Sequence, residues 1–320
     1  MRNLIMPCET DVAGVPADMT LHARYRRILL AQMDEHVSSI HPTAVVSPEA
    51  HIGDDVNIGP FCVIEPDVEI ADGCHLNANV TIKSGSHIGP ENIFCEGSVI
   101  GGLPQHLRMP ESVGDLWIGA GNIIREHVTI NRGLGAGEST RIGNENMLMV
   151  GVHIAHDCVV GNHVLMTNNV LLAGHVLVED HAYLGGAAAV HQFCRIGCYA
   201  MIGGMSRLIK DAPPFVTVDG ATSRVVGLNT VGLRRNGFDT PLIRQLKAAY
   251  RVLYRSDLAL EEALDKLEVD FQEEPVAHFH RFLRCSQRGI TAERRPRHDD
   301  ETFRIADFRE DDDDFQRRAV

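Results

Sequence analysis

The chain has 320 residues, 44% of them hydrophobic and 23% charged, with a formal net charge of −13; this is an ordinary balance for a soluble globular protein and weighs against a nucleic-acid binder. No apolar run reaches the ~18 residues of a transmembrane helix, and the N-terminal region holds no uninterrupted apolar segment of a signal peptide. The eight cysteines include no CxxC pair and outline no disulfide framework, which excludes a small zinc module and fits a reducing, cytoplasmic compartment.

Residues 1–38 form an N-terminal extension outside any repeat, either helical, over LHARYRRILLAQMDEH, or disordered. From 39 to 212 the chain keeps a different rhythm. An apolar residue recurs every six positions, from Val46 through Ile100, again at Ile118, Ile124 and Ile130, and then unbroken from Ile142 to Leu208. All 25 positions of that grid are apolar. A helix repeats at 3.6 and an ordinary strand at 2; period six fits neither. It fits flat faces of about one hexad each, turned at small corner residues, with three faces closing a triangular coil. Stacked coils pair their backbones in parallel at about 4.8 Å, and the apolar column fills the interior. Cys62, Cys74, Cys158 and Cys194 take the small corner position four residues after a grid residue, so a buried packing role accounts for them.

Two stretches interrupt the grid without changing its phase: 101–117 (GGLPQHLRMPESVGDLW) and 131–141 (NRGLGAGESTR). Both read as loops leaving a rigid scaffold, where function often sits. After the grid, DAPPFV at 211–216 is a stop signal, and 213–290 reads as a linker and an α-helical domain. Thr240 and Pro241 read as N-cap and first helical residue. Ile243, Leu246, Tyr250 and Leu253 give that helix an apolar face, while Arg244, Lys247, Arg251 and Arg255 form a basic stripe. Further helices are expected over 259–270 and 275–286. Residues 291–320, with the acidic run Asp311 to Asp314, read as a disordered tail.

An 18-residue coil stacks residues that are distant in sequence. His156, Gly174 and Gln192 fall in one column, and Asp157, His175 and Phe193 in the next. His153 lies close by and His191 flanks Gln192. None of these is at the inward apolar position, so His156 and His175 are expected to face outward. Proton abstraction near neutral pH suits His156 as a general base. Asp157 would support it, and Gly174 could offer a backbone N–H to a developing oxyanion. A bland alternative is a solvated edge. A zinc site built on His153, His156 and His175, as in γ-class carbonic anhydrases, is a further alternative.

The hexad grid resembles that of the left-handed parallel β-helix acyltransferases. Within that class GVHIAHDCVVGN (151–162), NNVLLAGHV (168–176) and GGAAAVHQFCRIG (185–197) resemble the UDP-N-acetylglucosamine O-acyltransferases of lipid A synthesis, over about residues 40–288. The resemblance implies an all-β solenoid with a small α-helical C-terminal domain, assembled as a homotrimer with sites between subunits. It implies transfer of a (3R)-hydroxyacyl chain from acyl carrier protein to the sugar 3-hydroxyl, with no cofactor and no metal. His156, Asp157 and Gly174 would be catalytic. Gln105, Arg108, His153, His175, His191, Gln192, Asn229, Arg234 and Arg235 would contact substrates, the last three from a neighbouring subunit. Gly204 matches the position that limits acyl length. Three residues depart from the family pattern: His106 stands for Asp, Asn131 for His and Asn236 for Arg. His106 keeps a 3-amino acceptor sugar open. The related N-acyltransferases carry a uridine-binding domain before the solenoid, for which residues 1–38 are too few; an acetyl-CoA enzyme and a non-catalytic scaffold are the remaining rivals.

Overall fold

The computed structural model of the chain describes residues 17–32, 39–272 and 274–294. Short strands, mostly two residues long, run from Val45–Val46 to Arg207–Leu208. Consecutive strands enter three different sheets in turn. Away from the two loops the chain returns to the same sheet every 18 residues, so that Val45 pairs with Val63 and His153 with Leu171, all in parallel. This is a left-handed parallel β-helix. Every grid residue from Ile58 to Leu208 is buried in one continuous core, with Val46 and Ile52 packed against its open end. Cys62, Cys74, Cys158 and Cys194 are fully buried at the corners of that core.

The corners demand a residue with positive φ. Outside glycine these include Asp157 (φ 59°), His175 (φ 59°) and Phe193 (φ 64°) at one edge, and His163, His181 and Tyr199 at another. Left-handed backbone costs an L-residue roughly 1–2 kcal/mol. Inter-coil hydrogen bonds hold it in place: His175 N–H donates to His156 O at 3.0 Å and Phe193 N–H to Gly174 O at 3.2 Å.

Both interruptions of the grid are shorter than the sequence suggests. Strands Val99–Gly102 and Asp115–Ile118 enclose one loop, 103–114, and Thr129–Asn131 and Ser139–Ile142 enclose the other, 132–138. Pairing with neighbouring coils draws the ends of each stretch into the sheets: Leu116 sits between Ser86 and Thr140. Val99 pairs with Thr129, and Thr129 with His153. Across the loops the grid residues Ile100 and Ile118 are 18 apart and Ile130 and Ile142 are 12 apart, both multiples of six, so the grid resumes in phase.

Helix α1 (Ala17–Gln32) lies on the outer face of the third sheet, where Arg26 bridges Glu91 at 3.2 Å and Tyr25 contacts Arg125. Ile93 and Ile123 alternate outward from Phe94 and Ile124, yet both are fully buried on this face.

Beyond Leu208 the hexad phase ends, but the sheet does not. Val216–Asp219 adds a parallel strand beside Met201–Ile202, and Arg224–Leu228 returns antiparallel to it. Without the six-residue period these two short strands leave no pattern in the sequence. Helices α2 (Thr230–Arg235), α3 (Thr240–Arg255), α4 (Leu260–Asp270) and α5 (Val276–Arg284) follow. They share a second core with Cys198, Tyr199 and Phe215 of the solenoid end. Asp239, not Thr240, caps α3: its carboxylate accepts the Leu242 N–H at 2.8 Å. Residues 291–294 belong to the fold, since Thr291 N–H donates to Asp211 O and Arg294 N–H to Val225 O, both at 2.8 Å. Residues 295–320, with the rest of the expected tail, lie outside the described residues, as do 1–16 and 33–38 of the extension. Among the described residues no helix is long and apolar enough to cross a membrane.

Candidate active site

The edge between the first and second sheets carries the His-rich columns. His156 follows strand His153–Ile154, and its ring Nδ1 is 2.7 Å from Asp157 Oδ2. With Nδ1–H donating to the carboxylate, Nε2 is left as the basic nitrogen, and it makes no hydrogen bond among the described residues. Asp157 is itself tightly held. Its backbone N–H donates to Thr140 Oγ1 at 2.8 Å, and its two carboxylate oxygens accept the Leu134 N–H at 3.2 and 3.3 Å. His175 Nε2 lies 3.6 Å from the same carboxylate.

His156 leaves the apolar core as its position predicts, but it is not open to solvent: it is only 7% exposed. Neighbours enclose it. His106 meets its ring edge-on at 5.7 Å between centroids and His175 at 5.1 Å. Gly174 lies buried against the ring, where an added Cβ would come 2.6 Å from His156 Cε1 and 2.8 Å from Nε2. Gly174 is required by close approach rather than by backbone angle. Its N–H makes no hydrogen bond among the described residues.

His175 is stacked on Phe193 at 4.6 Å. Burial pulls its pKa below the usual 6.5, against the opposing pull of the Asp157 charge. His153, one strand position before the inward Ile154, shares a 2.8 Å hydrogen bond between Nδ1 and Thr129 Oγ1, and burial lowers its pKa too. Both imidazoles are thereby kept neutral at neutral pH.

The remaining residues lie further out. Gln105 and Arg108 are exposed on the 103–114 loop, whose turn is tied by His106 Nδ1 to the backbone of Arg108 at 3.0–3.1 Å. His191 and Gln192 are exposed one coil on from Gly174, with His191 Nδ1 3.1 Å from Gln192 O. Gly204 occupies the opposite margin of the first sheet, where a Cβ would lie 3.2 Å from Gly186 O. Asn229, Arg234 and Arg235 are not brought to His156. They sit at the third edge, beside Tyr199, with both arginines exposed in the last turn of α2. The Asn229 carboxamide is occupied within the fold: Oδ1 accepts the Gly232 N–H at 3.0 Å and Nδ2 donates to Tyr199 O at 2.9 Å.

Sequence reasoning missed Leu134 and Thr140, which fix Asp157. Both lie beyond the 132–138 loop or within it, where counting by 18 fails. The zinc alternative also changes its members: His156, Asp157 and His175 bring ligand atoms within 4.8 Å of one another, while His153 is tied to Thr129.

A hexad β-helix with a histidine–carboxylate dyad on its edge and a helical cap defines an acyltransferase of the hexapeptide class. Residues 49–84 match the bacterial transferase hexapeptide model and 211–291 the model described as UDP N-acetylglucosamine O-acyltransferase, domain 2. An acyl-[acyl-carrier-protein]–UDP-N-acetylglucosamine O-acyltransferase of Halorhodospira halophila is 46% identical over 256 residues, covering 79% of this chain and 99% of the relative. One from a Janthinobacterium strain is 43% identical over 260 residues, with the same coverage. Among solved structures, LpxA of Bacteroides fragilis superposes with a TM-score of 0.77 at 41% identity, covering 79% of this chain and 99% of that one. The UDP-N-acetylglucosamine acyltransferase of Francisella novicida gives 0.78 at 38%, covering 80% and 94%. The chain belongs to the UDP-N-acetylglucosamine O-acyltransferase family.

Proposed function

We propose that this chain moves a (3R)-hydroxyacyl group from acyl carrier protein to the 3-hydroxyl of UDP-N-acetylglucosamine, opening lipid A synthesis in the cytoplasm. The observation that carries the reading is the 2.7 Å bond from His156 Nδ1 to Asp157 over the face of Gly174. That bond fixes the tautomer in which Nε2 can take a proton. The acceptor hydroxyl loses its proton to Nε2 as its oxygen attacks the thioester carbonyl. Asp157 stabilises the imidazolium, as a buried carboxylate beside a histidine does in hydrolase triads. The developing oxyanion takes a hydrogen bond from Gly174 N–H. Collapse expels the carrier thiolate, which recovers the proton from His156.

His153, His175, His191 and Gln192 line the same edge and are assigned to acceptor and acyl contacts, with Gln105 and Arg108 closing the site from the loop. Arg234 and Arg235 stand at a different edge of the same chain, so a neighbouring copy supplies them in a homotrimer. Asn229 acts there by shaping the α2 N-terminus, since its side chain is already engaged. The stripe Arg244, Lys247, Arg251 and Arg255 is exposed on α3 and gives an acidic carrier a complementary surface despite the negative net charge. Arg255 is partly neutralised by Glu293 at 2.9 Å.

A 3-amino sugar is the second acceptor, favoured by one observation: His106 packs edge-on against His156. The test offers UDP-N-acetylglucosamine and its 3-amino analogue to the purified protein, each with a panel of 3-hydroxyacyl carriers. Transfer to the hydroxyl supports the first reading. Transfer to the amine alone supports the second, and transfer to neither overturns both.

A further inference from the structure

Away from the active-site edge, a second cluster of ligating side chains lies where α5 packs on the end of the solenoid. Glu179, Cys198 and His278 are all buried, and their ligand atoms lie within 4.8 Å of one another. They come from three elements. Glu179 follows strand Leu177–Val178, Cys198 lies on the next coil after Arg195–Ile196, and His278 is on α5, 99 residues from Glu179. Glu179 Oε2 accepts the Cys198 backbone N–H at 2.9 Å and is 2.8 Å from His278 Nε2.

We infer that Glu179, Cys198 and His278 form a binding site for a borderline-soft divalent cation, of which Zn²⁺ is the type, that fastens the helical domain to the solenoid. The argument begins with Cys198. Cys62, Cys74, Cys158 and Cys194 sit four residues after a grid residue and fill the solenoid core. Cys198 comes two after Ile196, the outward position that His156 holds after Ile154. It belongs instead to the core shared with the helices. Packing at a small inward corner therefore does not explain it. Thiolate, imidazole and carboxylate are the three donor types that zinc takes, and each of the three residues turns one such atom toward the others. A buried carboxylate needs a partner in any case, because an unpaired charge there is costly. Binding would send the Cys198 thiol proton, and any proton shared between Glu179 and His278, to solvent.

Co²⁺ gives a direct test, because thiolate ligation produces a near-ultraviolet charge-transfer band that histidine and carboxylate ligands do not. Metal-free protein of full length is titrated with Co²⁺, and Zn²⁺ is then added to displace it. The wild type should develop the band, and Zn²⁺ should abolish it. Cys198→Ala should lose the band entirely, and His278→Gln should weaken Co²⁺ uptake. Cys95→Ala should keep it, which sets aside the other thiol-containing cluster, Cys95, Glu96 and Glu126; His156→Ala should keep it, which sets aside the active-site edge. No band in the wild type overturns the site, whatever the variants do. A band that survives Cys198→Ala in protein with a native circular dichroism spectrum also overturns it. Acyl transfer is not the readout, so this outcome is independent of the proposed reaction.

Discussion

Two edges of the solenoid carry histidine columns, and the contrast between them separates architecture from chemistry. At one edge His163, His181 and Tyr199 stack at 4.8 and 4.6 Å, each with positive φ. At the other, Asp157, His175 and Phe193 hold the same backbone conformation, and His175 stacks on Phe193 at 4.6 Å. The coil makes both ladders by the same geometry. Only in the second does a carboxylate of the ladder itself bind an imidazole of the adjacent column, with a loop N–H fixing that carboxylate and a glycine under the ring; at the first, Glu179 turns to His278 of the helical domain instead. At the first edge Glu145 lies 3.5 Å from His163 and is half-exposed. Burial without a carboxylate drives His181 down to about 4. A repeat can thus stack histidines for packing alone, and the departures from the repeat build the dyad.

The comparison breaks most sharply on His156, the base of the proposed reaction. His156→Ala should cut acyl transfer by about 10²–10⁴-fold, the usual worth of a general base, while His181→Phe leaves turnover unchanged. Steady-state rates on both variants check this, and comparable losses in the two would dissolve the distinction.

Gly174→Ala comes next. Its Cβ would meet His156 Cε1 at 2.6 Å, so the ring must move by a fraction of an ångström. A loss of about 10²-fold in kcat is expected from such misplacement, with an unchanged thermal transition. A fully active variant would show that the ring position is not critical.

Gly204 lies on the far margin of the first sheet, where a Cβ meets Gly186 O at 3.2 Å. Gly204→Met should shift the preferred acyl chain to a shorter length with the base untouched. Competition between carriers of different chain length reads this, and an unchanged profile removes Gly204 from the chain-length assignment.

The smallest effect concerns stability at the first edge. His181 has its pKa lowered from 6.5 to about 4 by burial, with a lesser push from His163. Between those values the folded state binds fewer protons than the unfolded chain. Stability should therefore fall as pH drops from 6.5 towards about 4. A shift of this size corresponds to about 2 kcal/mol between pH 6.5 and pH 5. His181→Phe should flatten that part of the curve in urea unfolding measured across the range. An unchanged slope would move the acid sensitivity to other groups.

Much of this molecule is legible in its sequence. The six-residue grid specified the solenoid because its apolar column must be inward at every coil, and a slip of one residue would expose it. The same count placed His156 beside Gly174 and Asp157 beside His175. It could not register residues across the two loops, so Leu134 and Thr140 escaped. It also says nothing of cover: His156 faces out of the core as expected, yet His175 of the next coil and His106 of the 103–114 loop enclose it. Beyond Leu208 the period ends, and with it the power to see the strands Val216–Asp219 and Arg224–Leu228.

The sequence by itself determined the repeat, its length, the apolar core and the two His-bearing columns, because a periodic backbone turns sequence separation directly into distance. Only the tertiary structure decided that Leu134 and Thr140 hold Asp157, that Asn229 is engaged in capping α2, and that Cys198 meets Glu179 and His278. Those contacts join loops, an added helix and coils whose separations follow no period, so packing alone sets them.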